Sequence, residues 1–168
     1  MDSLFAQLFL AIQEHIKTEV PAIEWIDQDL GQLEAYQTRP AVSFPCLLID
    51  FPTTQYSNHS QMVQWADINI SVRLGFTPFS SANSEAPDVS KEAALQFYEL
   101  ENKVYEALQG FTANDCVQPL NRISVATERR DDVYRVREMI FTTATEDITA
   151  KHPVNIVDAD LVVDKEIS

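Results

Sequence analysis

Apolar side chains recur every fourth position at the start of the chain, at Leu4, Leu8, Ile12 and Ile16, with Phe5 and Phe9 widening the stripe and Gln7, Gln13, Glu14 and Lys17 opposite. This spacing predicts an amphipathic helix. It opens near Asp2 or Ser3, whose side chains can accept from free backbone N–H groups, and closes before Pro21, whose ring disfavours helical geometry at Val20. Its polar face lacks the Lys/Arg excess that anionic lipid requires, so the stripe faces a core.

The period then shortens to two. Residues 22–30 alternate weakly and suit a short strand, and residues 31–40 read as a connector. Residues 41–51 place Val42, Phe44, Cys46 and Leu48 against Ser43, Pro45, Leu47, Ile49 and Phe51. The second half is apolar on both sides, which predicts a strand covered on both faces, while Pro45 asks for an edge or a bulge. The polar run 52–61 suits a long hairpin loop. Ala66, Ile68, Ile70, Val72, Leu74 and Phe76 then share one face against Trp65, Asp67, Asn69, Ser71 and Arg73, a half-buried antiparallel strand.

Residues 77–90, rich in serine and proline, read as a flexible surface loop. A second helix opens at Asp88 or Ser90, carries Ala94, Phe97, Leu100, Val104 and Leu108 as its stripe, and ends at Gly110 as a left-handed cap. Residues 123–145 predict a hairpin with a charged turn at about 128–132. Its second strand sets Tyr134, Val136, Glu138 and Ile140 against Arg135, Arg137, Met139 and Phe141, with the charged start projecting beyond the core. The resulting fold is α+β: a mainly antiparallel sheet with two main helices on one face, in a single domain over residues 1–150. Residues 151–168 form an extended tail, either an edge strand or an arm that docks on a neighbouring subunit.

Charge narrows the range of partners. The 168 residues carry 26 acidic and 12 basic side chains, a formal charge of −14, so the surface does not attract phosphate backbones in general. An acidic wall past which DNA slides is compatible with that charge. Cys46 and Cys116 lack the spacing of a disulfide framework or a metal knuckle and read as two unpaired thiols in a reducing compartment. The first helix is interrupted by Glu14, His15 and Lys17 with no cleavage site after it, and no apolar run is long enough to span a bilayer. Neither a signal peptide nor a membrane span is expected.

Candidate chemistry is sparse. His15, His59 and His152 are far apart and read as solvated side chains, and no residues are spaced for a nucleophile with its base or for a metal. The three glycines, Gly31, Gly75 and Gly110, form no phosphate cradle. No cofactor is expected, and no catalytic residue is assigned. Acidic neighbours such as Asp27 with Asp29 fit a solvated surface. One cluster is distinctive: Arg129, Arg130, Arg135 and Arg137 put four of the twelve basic residues on one hairpin. Arginine forks pair with carboxylates in fixed geometry, so the hairpin either reaches a neighbouring subunit or closes intramolecular pairs at a solvated tip.

The order of elements and the wording IEWIDQDLGQLEAYQTRPAVSFPCLLIDF, residues 23–51, resemble tail terminator, or tail completion, proteins of tailed phages and prophages. The resemblance implies an α+β fold and a non-enzymatic structural virion protein made in the bacterial host cytoplasm. It implies a hexameric ring that caps the tail tube at its head-proximal end and joins the head–tail connector, with DNA passing through the lumen without specific binding. Its implied partners are therefore further copies of the chain, the tail tube protein and the connector, with Arg129, Arg130, Arg135 and Arg137 as candidate contacts. The tail 151–168 has no counterpart in that pattern. The alternatives are another head–tail neck protein, the terminator of a contractile injection system, or a small ligand-binding domain or hydrolase with an acidic pocket.

Overall fold

A computed structural model describes residues 3–34, 41–77, 81–114 and 117–150. Helix α1 (Leu4–Glu19) begins where the Ser3 hydroxyl accepts from the Ala6 N–H, and ends with the Val20 N–H on the Ile16 carbonyl. Strand β1 (Trp25–Gln28) is followed by β2 (Cys46–Ser60) and β3 (Val63–Phe76), then helix α2 (Asp88–Leu108), β4 (Asn121–Thr127) and β5 (Arg135–Asp147). The five strands form one sheet in the order β1-β2-β3-β5-β4. Only the β1–β2 pair is parallel; the rest are antiparallel. The α+β class and the mainly antiparallel sheet stand as expected.

Both helices cover one face. Leu8, Phe9, Ile12 and Ile16 of α1 meet Val104 and Leu108 of α2 above Leu47, Ile49, Ala66, Ile68, Ile70, Val72, Leu74, Met139 and Phe141. An isolated helix of this length is marginal in water, so burial fixes α1: each fully buried Leu or Ile contributes roughly 1.5–3 kcal/mol. The opposite face has a smaller cover, in which Leu33, Val42, Phe44 and Tyr134 close over Cys46, Leu48 and Val136. The start of β2 is thus apolar on both sides because both sides are covered. Past α2, Gly110 takes φ +82°, and its N–H donates to the Leu120 carbonyl. That left-handed geometry favours glycine.

Four local expectations change. The strand predicted from residue 41 starts at Cys46, so Pro45 precedes the ladder and needs neither an edge nor a bulge. The polar run 52–61, expected as a loop, continues β2 to Ser60, because Thr, Tyr and Gln side chains tolerate a pleated backbone and β3 supplies its hydrogen bonds. His15 is not solvated: it stacks on Phe111 at 4.0 Å, and its Nε2–H donates to the Ala107 carbonyl at 2.9 Å. The charged start of β5 lies beneath α2, where aromatic and acidic side chains receive its arginines. Residues 78–80 of the expected loop, Cys116, His152 and the tail 151–168 lie outside the described residues.

Candidate assembly surface

Two features of the described residues stand apart from the core: the arginine-rich hairpin and the distal half of the β2–β3 hairpin. In the first, Arg135 and Arg137 of β5 lie on the helix side of the sheet, and Arg130, in the turn before β5, on the other. Arg137 lies on the helix side, where Nε and Nη2 donate to the Glu101 carboxylate at 2.5 and 2.9 Å, and Nη1 donates to the Thr127 hydroxyl. The Glu101 hydrogen bonds raise the Arg137 pKa above its ordinary value. Arg135 lies 4.0 Å over the Phe97 ring and donates to the Tyr98 hydroxyl, while its Nε is buried without an acceptor. Both tie α2 to the sheet.

Arg130 belongs to a larger network on the opposite face. Nε and Nη2 donate to Asp132, Nη1 to Glu34 and Glu128, and Nη2 also to the Leu33 carbonyl at 2.6 Å. Beside it Arg73, in the middle of β3, donates to Glu128 through Nε and Nη2, to Asp29 through Nη1 at 2.6 Å, and to Glu34. Two guanidinium groups therefore bind four carboxylates and join the turn after β1 to the β4–β5 turn. Burial alone would lower the pKa of Arg73, but hydrogen bonds to Glu128, Glu34 and Asp29 raise it above its ordinary value. The same bonds act on the acids: Arg73 holds Glu34, and Arg130 holds Asp132, below the usual carboxylate range.

Arg130, Arg135 and Arg137 are thus engaged within the chain, in the second of the two ways open to the sequence. Arg129 differs. It is exposed, with no partner among the described residues, and it points to whatever lies outside the β4–β5 turn. The sequence reading missed Arg73 as the centre of the network. Its signal was a lone cation on the polar face of a regular strand, a position that calls for a nearby carboxylate.

The second feature is the hairpin's distal half. Beyond a register shift between Asp50 and Thr53, β2 pairs with β3 from Thr53↔Asn69 to Asn58↔Gln64, and β3 pairs with β5 out to Gln64↔Asp147. Strand β1 covers β2 only at Cys46–Ile49, and the Asp29 N–H donates to the Ile49 carbonyl at its end. From Phe51 to Ser60 the other edge of β2 meets no strand among the described residues. Residues 52–62 are exposed except for half-buried Thr54, and they include Tyr56 and Met62. No Asp, Glu, Lys or Arg lies between Asp50 and Asp67, although the chain is 23% charged. A long exposed strand edge without Asp, Glu, Lys or Arg is unusual in so acidic a chain; the nearest carboxylates lie inward of it, Asp67 opposite Gln55 and Glu146 3.6 Å from His59.

A groove of about 840 Å³ runs along the first half of α2 past Phe44, Phe76 and Phe97. Its charged lining is Glu99, Lys103 and Arg135, so it is not an acidic pocket. Among the described residues no group of His, Cys, Asp and Glu is arranged to hold a metal, and no helix is long and apolar enough to cross a membrane. Neither a model of a known protein family nor a curated protein matches the chain.

Proposed function

We propose that the chain is a non-enzymatic structural virion protein, a tail terminator, whose copies form a hexameric ring at the head-proximal end of the tail tube and join it to the head connector. The observation that carries the assembly is the largely exposed distal half of β2, Phe51 to Ser60, which holds no Asp, Glu, Lys or Arg. A monomer gains little from holding it, whereas copies that each carry −14 need a neutral surface through which to meet. The virion location comes from the resemblance of residues 23–51, whose described part holds β1, the turn after it and the start of β2. The acidic balance suits a lumen that repels the DNA phosphates passing through it.

The test is native mass by light scattering across a concentration series, with and without assembled tail tubes. The expected result is a discrete species of six chain masses, alone or on the tube. Monomers that stay unbound at every concentration in the presence of tubes would overturn the reading.

A further inference from the structure

Resting on the reading that copies of the chain assemble, we propose that the open edge of β2 receives residues 154–163 of a neighbouring copy as an added strand. An unpaired edge presents a row of backbone N–H and C=O groups, and proteins usually guard it with lysine, proline, a bulge or an inward charge. Here Pro52 and the register shift guard only its beginning, and a second shift follows Asn58. Between them Thr53, Thr54, Gln55, Tyr56, Ser57 and Asn58 keep regular register with β3 and carry none of these guards. The edge is therefore competent for strand addition, in which main-chain hydrogen bonds supply the affinity.

The occupant is indicated by the rest of the chain. Residues 154–163 read VNIVDADLVV: Val157, Ala159, Leu161 and Val163 fall on one side of a period of two, and Val154, Ile156, Asp158, Asp160 and Val162 on the other. Such a β-branched pattern is that of a half-buried strand and needs a sheet to lie on. The chain leaves β5 at Asp147, opposite Gln64, which itself faces Asn58 of β2. Adjacent strands are ~4.8 Å apart, so the tail departs about 10 Å from the open edge. On the reading that copies assemble the donor is a neighbour, since among the described residues this is the longest strand edge without Asp, Glu, Lys or Arg. A backbone ladder there links acidic copies through main-chain hydrogen bonds, which do not depend on opposite charges.

Disulfide trapping in the full-length chain with Cys116→Ser tests this. One copy carries Gln55→Cys and the other carries a single cysteine at one of residues 154–163, taken in turn so that all ten positions, and with them every register, are covered. Facing residues of paired strands have Cα separations within disulfide range. The expected result is a disulfide-linked pair of unlike copies for at least one tail position, with the native mass of the ring retained. Rings that form with no inter-copy disulfide at any of the ten positions overturn the strand addition and leave the ring standing. A disulfide that forms only within a single chain carrying both cysteines overturns the exchange between copies. Absence of both rings and disulfides rejects this proposal together with the ring reading.

Discussion

Arg73 Nη1 donates to Asp29 Oδ2 at 2.6 Å, across 44 residues of sequence and from the middle strand of the sheet to the turn after its edge strand. With the Glu128 and Glu34 bonds, this contact closes the helix-free face over Leu33 and Cys46. Arg130, Glu128 and Asp132 of the β4–β5 turn are drawn into the same closure, since Arg130 pairs with Asp132 and shares Glu34 and Glu128 with Arg73. Arg130, Arg135 and Arg137 therefore brace the fold, and the proposed contact between copies falls on the open stretch of β2.

Replacing Arg73 by alanine leaves Asp29, 12% exposed, without its ion-pair partner. Removing one member of a buried pair costs about 3 kcal/mol, because the remaining charge is uncompensated. Arg130→Ala removes a half of the same network that is nearer the turn, and the expected loss is roughly 1–2 kcal/mol. Arg129→Glu touches nothing in the described fold and should change stability by less than about 0.5 kcal/mol. Urea unfolding of the three variants checks the order. Equal midpoints for Arg73→Ala and the parent chain would show that the network contributes nothing.

Acid should weaken the fold through the same contacts. Glu34 and Asp132 have folded-state pKa values below their ordinary 4.5 and 3.8, so in that range the unfolded chain binds more protons than the native one. Their contribution is fully present above those ordinary values and is lost as pH falls through the depressed ones. The urea midpoint should be flat near neutrality and drop below about pH 4.5, the Glu34 reference. In Arg130→Ala the drop should be shallower, since Asp132 then titrates nearer its ordinary value. An unchanged slope would separate the acid sensitivity from this network.

The fold was legible where burial is one-sided. Ala66 through Leu74 alternate because one face of β3 lies under helices, and Leu8, Ile12 and Ile16 repeat because one face of α1 meets the sheet. The distal half of β2 was not legible, because Thr53 to Ser60 are exposed on both faces apart from half-buried Thr54, and no apolar period marks a strand held by backbone bonds. The site was half legible. Clustering drew attention to Arg129, Arg130, Arg135 and Arg137, but whether an arginine turns inward depends on acids such as Glu101 and Glu34, remote in sequence. Likewise His15 shows a polar neighbourhood in sequence, and only the approach of Phe111 and Ala107 makes it part of the helix contact.

Gly75 faces Cys46 across the β2–β3 ladder, and a Cβ there would stand 2.7 Å from the Cys46 Sγ, with Phe44 and Leu33 also close. Gly75→Ala should cost about 1–3 kcal/mol through overpacking. Adding Cys46→Ala removes the nearest atom, so the double variant should lose less than the sum of the two single losses, which a double-mutant cycle measures. The same enclosure acts on the thiol: burial pushes the Cys46 pKa up to about 11, and alkylation of this residue in the native chain near pH 8 should be negligible. Additive losses, or rapid alkylation at Cys46, would show that this cover is open in solution.

Charge placed on the open stretch of β2 should separate folding from assembly. Thr53 and Ser57 are exposed and pair with uncharged Asn69 and Trp65, so Thr53→Glu and Ser57→Glu should each alter monomer stability by less than about 0.5 kcal/mol. They add carboxylates where copies are proposed to meet, and the expected result is loss of the multi-chain species in sedimentation velocity. Salt gives the control. From roughly 0.01 M to 0.15 M the Debye length falls from about 30 Å to about 8 Å, so repulsion between chains of −14 is screened and the parent should associate more strongly. If direct repulsion at the edge causes the variants' defect, salt should restore part of their association too. Variants that assemble as well as the parent at low salt would place the contact between copies elsewhere on the molecule.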